Sequence, residues 1–222
     1  MSEFQKLLAD TLRGRVPLPA EQCEALARHW ELLQRWNRRV NLTAVRDVKE
    51  AVPLHYCESV FFSTLLPEGP MRVADIGSGA GFPGLPLAVM RPGSEVWLVE
   101  ANSKKCVFLR EAARAMGLGN VRVLERRAEE MEESVDWVVS RAVRWTGVIE
   151  LARRLARHVG LLVSEQGAEE ARGAAGLDWR APVRIPWGRR RVALLGDVLE
   201  PGASCRSVGE MFHVKQLPQS GQ

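Results

Sequence analysis

Val73-Ala74-Asp75-Ile76-Gly77-Ser78-Gly79-Ala80-Gly81-Phe82-Pro83-Gly84 reads as a buried strand that runs into glycines and then opens a helix. Glycines at such a turn remove the side chains that would block a small ligand, and the first amides of the following helix are expected to face the pocket. The same residues satisfy G-x-G-x-x-G at Gly79, Gly81 and Gly84, so a dinucleotide-binding reading has to be weighed. Charge helps to separate the readings. Asp75 lies two residues before the first glycine, where a carboxylate repels a pyrophosphate but attracts a ligand carrying ammonium and sulfonium charges, which favours S-adenosylmethionine.

Downstream of this turn, apolar runs of strand length at 72–76, 96–99, 121–124, 135–139 and 161–163 alternate with segments of helical length, the pattern of a parallel α/β sheet. Glu100 ends the second run, 25 residues after Asp75 and 19 after Gly81. Doubly wound folds place there an acid that accepts bonds from ribose hydroxyls, and both NAD and S-adenosylmethionine offer such a diol. Ala128-Glu129 follows the third run and Ser140-Arg141 the fourth, so four candidate contacts fall at the carboxyl ends of strands, where open α/β sheets bind ligands. Near the end, 183–187 and 191–195 flank a short turn containing Gly188, the pattern of an antiparallel hairpin at the sheet edge. Residues 173–176 read as a loop.

Upstream, residues 20–38 set Cys23, Leu26, Ala27, Trp30, Leu33 and Trp36 at helical spacing, an amphipathic helix that packs. Asp47-Val48-Lys49-Glu50 has the spacing of a capping box and predicts a second helix running towards Leu66, stopped by Pro67. The expected organisation is therefore a helical extension over 1–66 packed on the core, a sheet domain over 67–215 and a polar, frayed tail over 216–222.

With 222 residues, 46% apolar and 26% charged, the chain fits one large domain with an elaboration and does not have the composition of a disordered segment. No run approaches the ~18 uninterrupted apolar residues of a spanning helix, and the charged N-terminal stretch lacks the apolar segment of a signal peptide, so the expectation is a cytoplasmic protein with no membrane. Cysteines at 23, 57, 106 and 205 form no C-x-x-C, and neither a disulfide framework nor a metal site is expected. The net charge of +4 is uneven: 1–66 carry +1, 67–183 carry 0 and 184–222 carry +3.

Several further stretches carry a resemblance: Trp36-Asn37-Arg38-Arg39-Val40-Asn41-Leu42-Thr43-Ala44, His55 with Glu58-Ser59, the glycine stretch with its trailing Phe-Pro-Gly, Lys104-Lys105 with Phe108-Leu109-Arg110, Arg127-Ala128-Glu129-Glu130 and Ser140-Arg141-Ala142-Val143. On these the chain resembles the bacterial small-subunit ribosomal RNA methyltransferase G family, also called glucose-inhibited division protein B, over roughly residues 30 to 145. The resemblance implies a Rossmann-like class I methyltransferase sheet and transfer of a methyl group from S-adenosylmethionine to N7 of a guanosine in 16S ribosomal RNA. It also implies cofactor contacts at Gly77, Phe82, Glu100, Ala101, Asn102, Ala128, Glu129 and Arg141, to which the reading of the turn adds Asp75 and Gly79. Family members usually carry aspartate where this chain has Glu58 and Glu100; both changes keep the carboxylate and lengthen its reach.

N7 of guanine is neutral and carries a lone pair, so attack on a sulfonium methyl needs no deprotonation, and holding two reactants in line can supply ~7–11 kcal/mol. No catalytic base is therefore expected. Arg141 is a candidate orienter towards cofactor, guanine O6 or phosphate, with an ion pair to Glu129 or Glu130 as the alternative. Ser-Arg-Ala-Val after the fourth strand is neither the Asn-Pro-Pro-aromatic motif of exocyclic amine methylation nor a Pro-Cys nucleophile for cytosine C5. Candidate RNA contacts are Arg38, Arg39, Arg144, Arg189, Arg190 and Arg191, the partner being 16S ribosomal RNA or the small subunit or its precursor, and the chain a monomer. A non-catalytic module that senses the cofactor or binds RNA through the same fold is the alternative; a dehydrogenase is a more distant one.

Overall fold

The protein is described from a computed structural model over residues 1–141, 144–188 and 190–199. Ala142, Val143, Arg189, Cys205, the stretch 211–215 and the tail at 216–222 lie outside these residues.

Five parallel strands form the centre: β1 (Arg72–Ile76), β2 (Glu95–Glu100), β3 (Val121–Glu125), β4 (Val135–Arg141) and β5 (Ala156–Ser164), ordered β3-β2-β1-β4-β5. The chain leaves β1 towards β2 and β3, then returns to β4 on the other side of β1. That reversal opens a crevice at the carboxyl ends of β1 and β4. The Ser140 hydroxyl donates to the Ile76 carbonyl at 2.9 Å and ties these two ends together. Along β1, Val73 faces a core that holds α5 (Gly84–Met90) and α6 (Ser103–Met116), while Ala74 and Ile76 face one that holds α7 (Trp145–Leu155) and α8 (Glu165–Arg172). Both faces are covered, which is why the strands read as continuous apolar runs rather than alternating ones.

The sheet continues through antiparallel β8 (Arg191–Val198), which pairs with β5 on one side and β6 (Leu177–Trp179) on the other; β7 (Val183–Arg184) also pairs with β8. The expected hairpin forms, with Val183 opposite Ala193, yet β8 lies inside the sheet rather than at its edge. The strand that sequence reasoning missed is β6. Three residues with only Leu177 buried leave no periodic signal.

The helices of the first 66 residues differ from the expected ones at two boundaries. Besides α1 (Glu3–Leu12), the predicted helix over 20–38 is α2 (Ala20–Trp36). Asn37 ends α2 because its amide side chain folds the next loop, accepting from the Leu42 and Thr43 amides and donating to the Thr43 carbonyl. The helix after Asp47 is α3 (Val48–Ala51), a wide π-helical turn over Val52–Cys57, and α4 (Glu58–Thr64). Pro53 has no amide to give to the ladder, and the wider turn absorbs the loss. Asp47 caps by accepting from the Lys49 amide at 3.0 Å; Glu50 takes no reciprocal part.

These helices share a core with the sheet. Phe4, Leu8, Leu26, Leu33, Tyr56 and Phe62 are buried in the same cluster as Val73, Leu98, Phe108 and Trp137. At ~1.5–3 kcal/mol for each large apolar side chain, that shared burial fixes the helical layer on one face of the sheet. Arg91, just past α5, adds a polar tie by donating to the Ser63, Leu66 and Pro67 carbonyls at the end of α4.

Candidate cofactor and RNA site

The glycine turn sits at the carboxyl end of β1. Gly77 and Gly79 have φ of 69° and 55°, left-handed backbone that costs a residue with a Cβ. Gly84 is needed for a different reason: a Cβ there would lie 2.3 Å from Leu98 Cδ2 and 2.6 Å from Asp75 Oδ2, so only glycine lets α5 approach the sheet. The amides of the turn are largely consumed. Gly77 and Ser78 donate to the Val99 carbonyl, Gly81 to Ser78, Gly79 to Glu100, Gly84 to Asp75 and Leu85 to Gly81. This corrects the expectation of free helix amides facing the pocket. A turn whose N–H groups are spent on its own protein, with two carboxylates among the acceptors, is a poor cradle for a pyrophosphate, which removes the main support for the dinucleotide reading.

Asp75 lies beneath the turn, fully buried. Its Oδ2 accepts from the Gly84 amide at 3.0 Å, while Oδ1 has no partner. Burial pushes its carboxyl up to about 7, against the opposing pull of the Gly84 hydrogen bond. The charge argument made from its position in the sequence therefore transfers to Glu100, which is only partly buried and lines the cleft.

Glu100 ends β2 and receives two amides, Gly79 on Oε2 at 3.0 Å and Asn102 on Oε1 at 2.9 Å. A carboxylate offers about four lone-pair directions, so two remain for a ligand. Asn102 caps α6, its Oδ1 accepting from the Lys104 and Lys105 amides, which commits its side chain to the helix end. Gly77, Glu100, Ala101, Ala128 and Glu129 line one cleft of about 670 Å³, a size suited to a small-molecule ligand. Arg144 lines the same cleft from the start of α7. Sequence reasoning missed Arg126, Arg127 and Arg154 there. The first two immediately precede Ala128-Glu129, and Arg154 shares with Glu150 and Leu151 the face of α7 turned to the cleft.

Phe82 and Arg141 are not part of that lining. Phe82 is buried among His29, His55 and Tyr56, with ring centroids 4.9–5.2 Å away, and the Arg141 guanidinium lies 5.9 Å from its ring. Arg141 pairs with Glu58, Nε to Oε2 at 3.3 Å, and donates to the Leu54 carbonyl at 2.9 Å; Glu129 and Glu130, the alternative partners, are not used. Glu58 is fully buried and also receives Arg191 at 3.2 Å. Two guanidiniums on one carboxylate leave an excess positive charge beside the turn.

Arg191 is thereby removed from the predicted phosphate clamp, because its donors go to Glu58 and to the Leu162 carbonyl in the interior of the sheet. Arg190 is exposed and lies 3.6 Å from Glu165, and Arg189 falls outside the described residues. Arg38 and Arg39 are exposed at the end of α2. Arg38 borders two grooves, one of about 240 Å³ shared with Arg46 and Thr43, the other of about 470 Å³ shared with Arg35, Arg39 and Trp36. His55 sits under this loop, its Nε2 3.0 Å from the Thr43 hydroxyl. Burial, with the Arg141 charge beside it, holds its ring neutral down to about 3.

Comparison with known proteins agrees with this geometry. Among solved structures, a SAM dependent methyltransferase from Aquifex aeolicus superposes with a TM-score of 0.55 at 19% identity, over 68% of this chain and 93% of that one. The ribosomal protein L11 methylase of Lactobacillus delbrueckii subsp. bulgaricus gives 0.53 at 13% identity, over 64% and 78%. These likenesses establish a Rossmann-like methyltransferase fold. In sequence, the ribosomal RNA small subunit methyltransferase G of Xanthomonas campestris pv. campestris is 40% identical over 188 residues, 81% of this chain and 87% of its own. The protein of that name from Stenotrophomonas maltophilia is 42% identical over 153 residues, 68% and 71%. With residues 22–180 also matching the family described as rRNA small subunit methyltransferase G, the chain belongs to that family.

Proposed function

We propose that this protein transfers a methyl group from S-adenosylmethionine to N7 of a guanosine in 16S ribosomal RNA. The observation that carries the cofactor assignment is the pairing of an amide-spent glycine turn with the half-engaged Glu100 carboxylate at the mouth of the cleft. Such a site suits a ligand that brings a ribose diol and positive charge. Glu100 would take the diol, with Gly77, Ala101, Ala128 and Glu129 as the walls of the cleft. When bound, the cofactor supplies an electrophilic methyl group on a sulfonium. Membership of the family supports a small-subunit RNA substrate.

N7 is favoured because it needs no base, and no histidine or cysteine among the described residues near the turn is poised to act as one. His29 and His55 are buried and neutral, and the Cys57 and Cys106 thiols are pushed up by burial. Arg141 is held by a buried carboxylate and has the character of an orienting donor rather than a proton acceptor. The exposed Arg38, Arg39, Arg46 and Arg144 are proposed to meet RNA phosphates. Labelled methyl transfer to small-subunit RNA, followed by borohydride reduction and aniline cleavage, tests the assignment. N7-methylguanosine gives strand scission at one position; label incorporated without scission would place the methyl elsewhere.

A further inference from the structure

His29 is a fully buried histidine in the middle of α2, far in sequence from the turn, and it bonds at both ring nitrogens. Nε2 lies 3.0 Å from the Ala80 carbonyl inside the glycine turn, and Nδ1 lies 2.8 Å from the Tyr56 hydroxyl in the π-helical turn. A carbonyl only accepts, so Nε2 carries the proton and Nδ1 accepts from Tyr56. The tautomer is thus fixed by chemistry rather than by choice. Burial keeps the ring neutral down to about 4, so this arrangement holds across the physiological range.

The bond to Ala80 closes a chain that reaches the cleft. The peptide between Ala80 and Gly81 has its carbonyl on His29 and its N–H on the Ser78 carbonyl at 2.6 Å. The peptide between Ser78 and Gly79 has that carbonyl at one end and its N–H on Glu100 at the other. Two anchored peptide planes, separated by the one between Gly79 and Ala80, therefore link Tyr56 and His29 to the Glu100 carboxylate. In chain order the first plane ends at Gly79 and the second at Gly81, with φ of 55° and 88°, positions where a peptide plane rotates freely unless it is held. The rings of His29 and Tyr56 also meet Phe82 edge-on, at 5.2 and 5.0 Å, gripping the turn one residue further along.

We infer that His29 is a positioning residue of the helical layer: by donating Nε2–H to Ala80 it sets the two peptide planes of the glycine turn and thereby the orientation of Glu100 towards the adenosyl ligand. This rests on the proposed cofactor site, and the wild-type protein tests that site separately, since calorimetric binding of S-adenosylhomocysteine to it must be seen before any variant is compared. His29→Phe keeps an aromatic ring and removes the donor; His29→Gln restores an N–H near the place of Nε2. The expected result is that His29→Phe binds S-adenosylhomocysteine at least about tenfold more weakly, as an orphaned buried carbonyl implies, and that His29→Gln recovers most of the loss. Tyr56→Phe, which leaves Nδ1 without its donor but keeps the Ala80 bond, should fall between wild type and His29→Phe. Thermal melts of all three variants accompany the titrations. Folded His29→Phe with wild-type affinity would overturn the inference, as would His29→Gln that melts like wild type yet binds no better than His29→Phe. Should His29→Phe fail to fold, Tyr56→Phe decides: a folded Tyr56→Phe that binds S-adenosylhomocysteine as wild type does sinks the inference, and one that binds more weakly supports it.

Discussion

The Glu100 carboxylate accepts the Gly79 amide at 3.0 Å, so the acid at the end of β2 is also the strap that holds the glycine turn after β1. One side chain sets the shape of the turn and faces the cleft beside it. Replacing it separates the two roles. Glu100→Gln keeps one carbonyl oxygen to accept an amide but removes the charge and half the acceptor capacity. The expected loss in S-adenosylhomocysteine affinity is about 1.5–3 kcal/mol, the range for a hydrogen bond to a charged group. Titration calorimetry alongside a thermal melt checks it. A loss of only a few tenths of a kcal/mol in a folded variant would make Glu100 a strap alone.

Arg191 and the exposed Arg38 and Arg39 have different fates, and the structure predicts different responses. Glu58 is fully buried between Arg141 and Arg191, so Glu58→Gln leaves two largely buried guanidiniums without a counter-charge and should cost about 3–5 kcal/mol in stability. Arg191→Met should lower the melting temperature and leave the salt dependence of RNA binding unchanged, because its donors face inward. Arg38→Glu and Arg39→Glu should do the reverse, flattening the logarithmic salt slope by about one unit for each phosphate that is no longer neutralised, while the melt stays put. Fluorescence anisotropy at several salt concentrations reads the slope. A flattened slope in Arg191→Met would restore it to the RNA surface.

Much of this site was legible because its signals are local. A carboxylate after the second apolar run, glycines after the first and an arginine after the fourth all mark strand ends, and strand ends are where an α/β sheet must bind. What stayed hidden depends on contacts between distant segments. Nothing around Arg191 in sequence announces that Glu58, 133 residues earlier, will be sealed beneath β8. The burial of Asp75 was equally invisible, since an acid at the end of a strand reads the same whether it points into the cleft or under α5. Nothing in the helical spacing of 20–38 singles out His29, whose role depends on the turn that packs against it.

The buried titrating groups act on stability with opposite signs. His29 and His55 have folded values of about 4 and about 3 against an unfolded ~6.5, so below ~6.5 the unfolded chain binds two protons that the folded one refuses. Their contribution is present above ~6.5 and lost as pH falls. Asp75 works the other way: with a folded value of about 7 and an unfolded one near 3.9, the folded chain holds a proton that the unfolded chain has shed, and stability falls as pH rises through that interval. Between about pH 5 and 6.5 the balance is one proton in favour of the unfolded state, so stability should rise with pH by at most about 1.4 kcal/mol per unit. Asp75→Asn should steepen that rise towards twice its value, and His29→Phe should flatten it. Urea melts at half-unit pH steps measure the slopes; a wild-type slope of the opposite sign would contradict the burial of both imidazoles.

The proposed chemistry predicts a methyl-transfer rate almost independent of pH. N7 attacks through a lone pair that is free at neutral pH, so at saturating cofactor and RNA the single-turnover rate should be flat from about pH 6 to pH 9. The histidines near the turn are neutral throughout that window, and burial carries the Cys57 and Cys106 thiols upward from their ordinary range. Asp75, buried beneath the turn, has a value of about 7 that falls inside that window. Its side chain lies under the turn, bonded to the Gly84 amide, so its ionisation should alter the turn and appear in cofactor affinity rather than in the step on bound substrates. The two are separable. A shallow inflection near pH 7 in kcat/KM for the cofactor, abolished by Asp75→Asn, fits the buried position. A tenfold rise per pH unit at saturation that survives Asp75→Asn would require a base at the reacting atoms, and would replace N7 with a nucleophile that must first lose a proton.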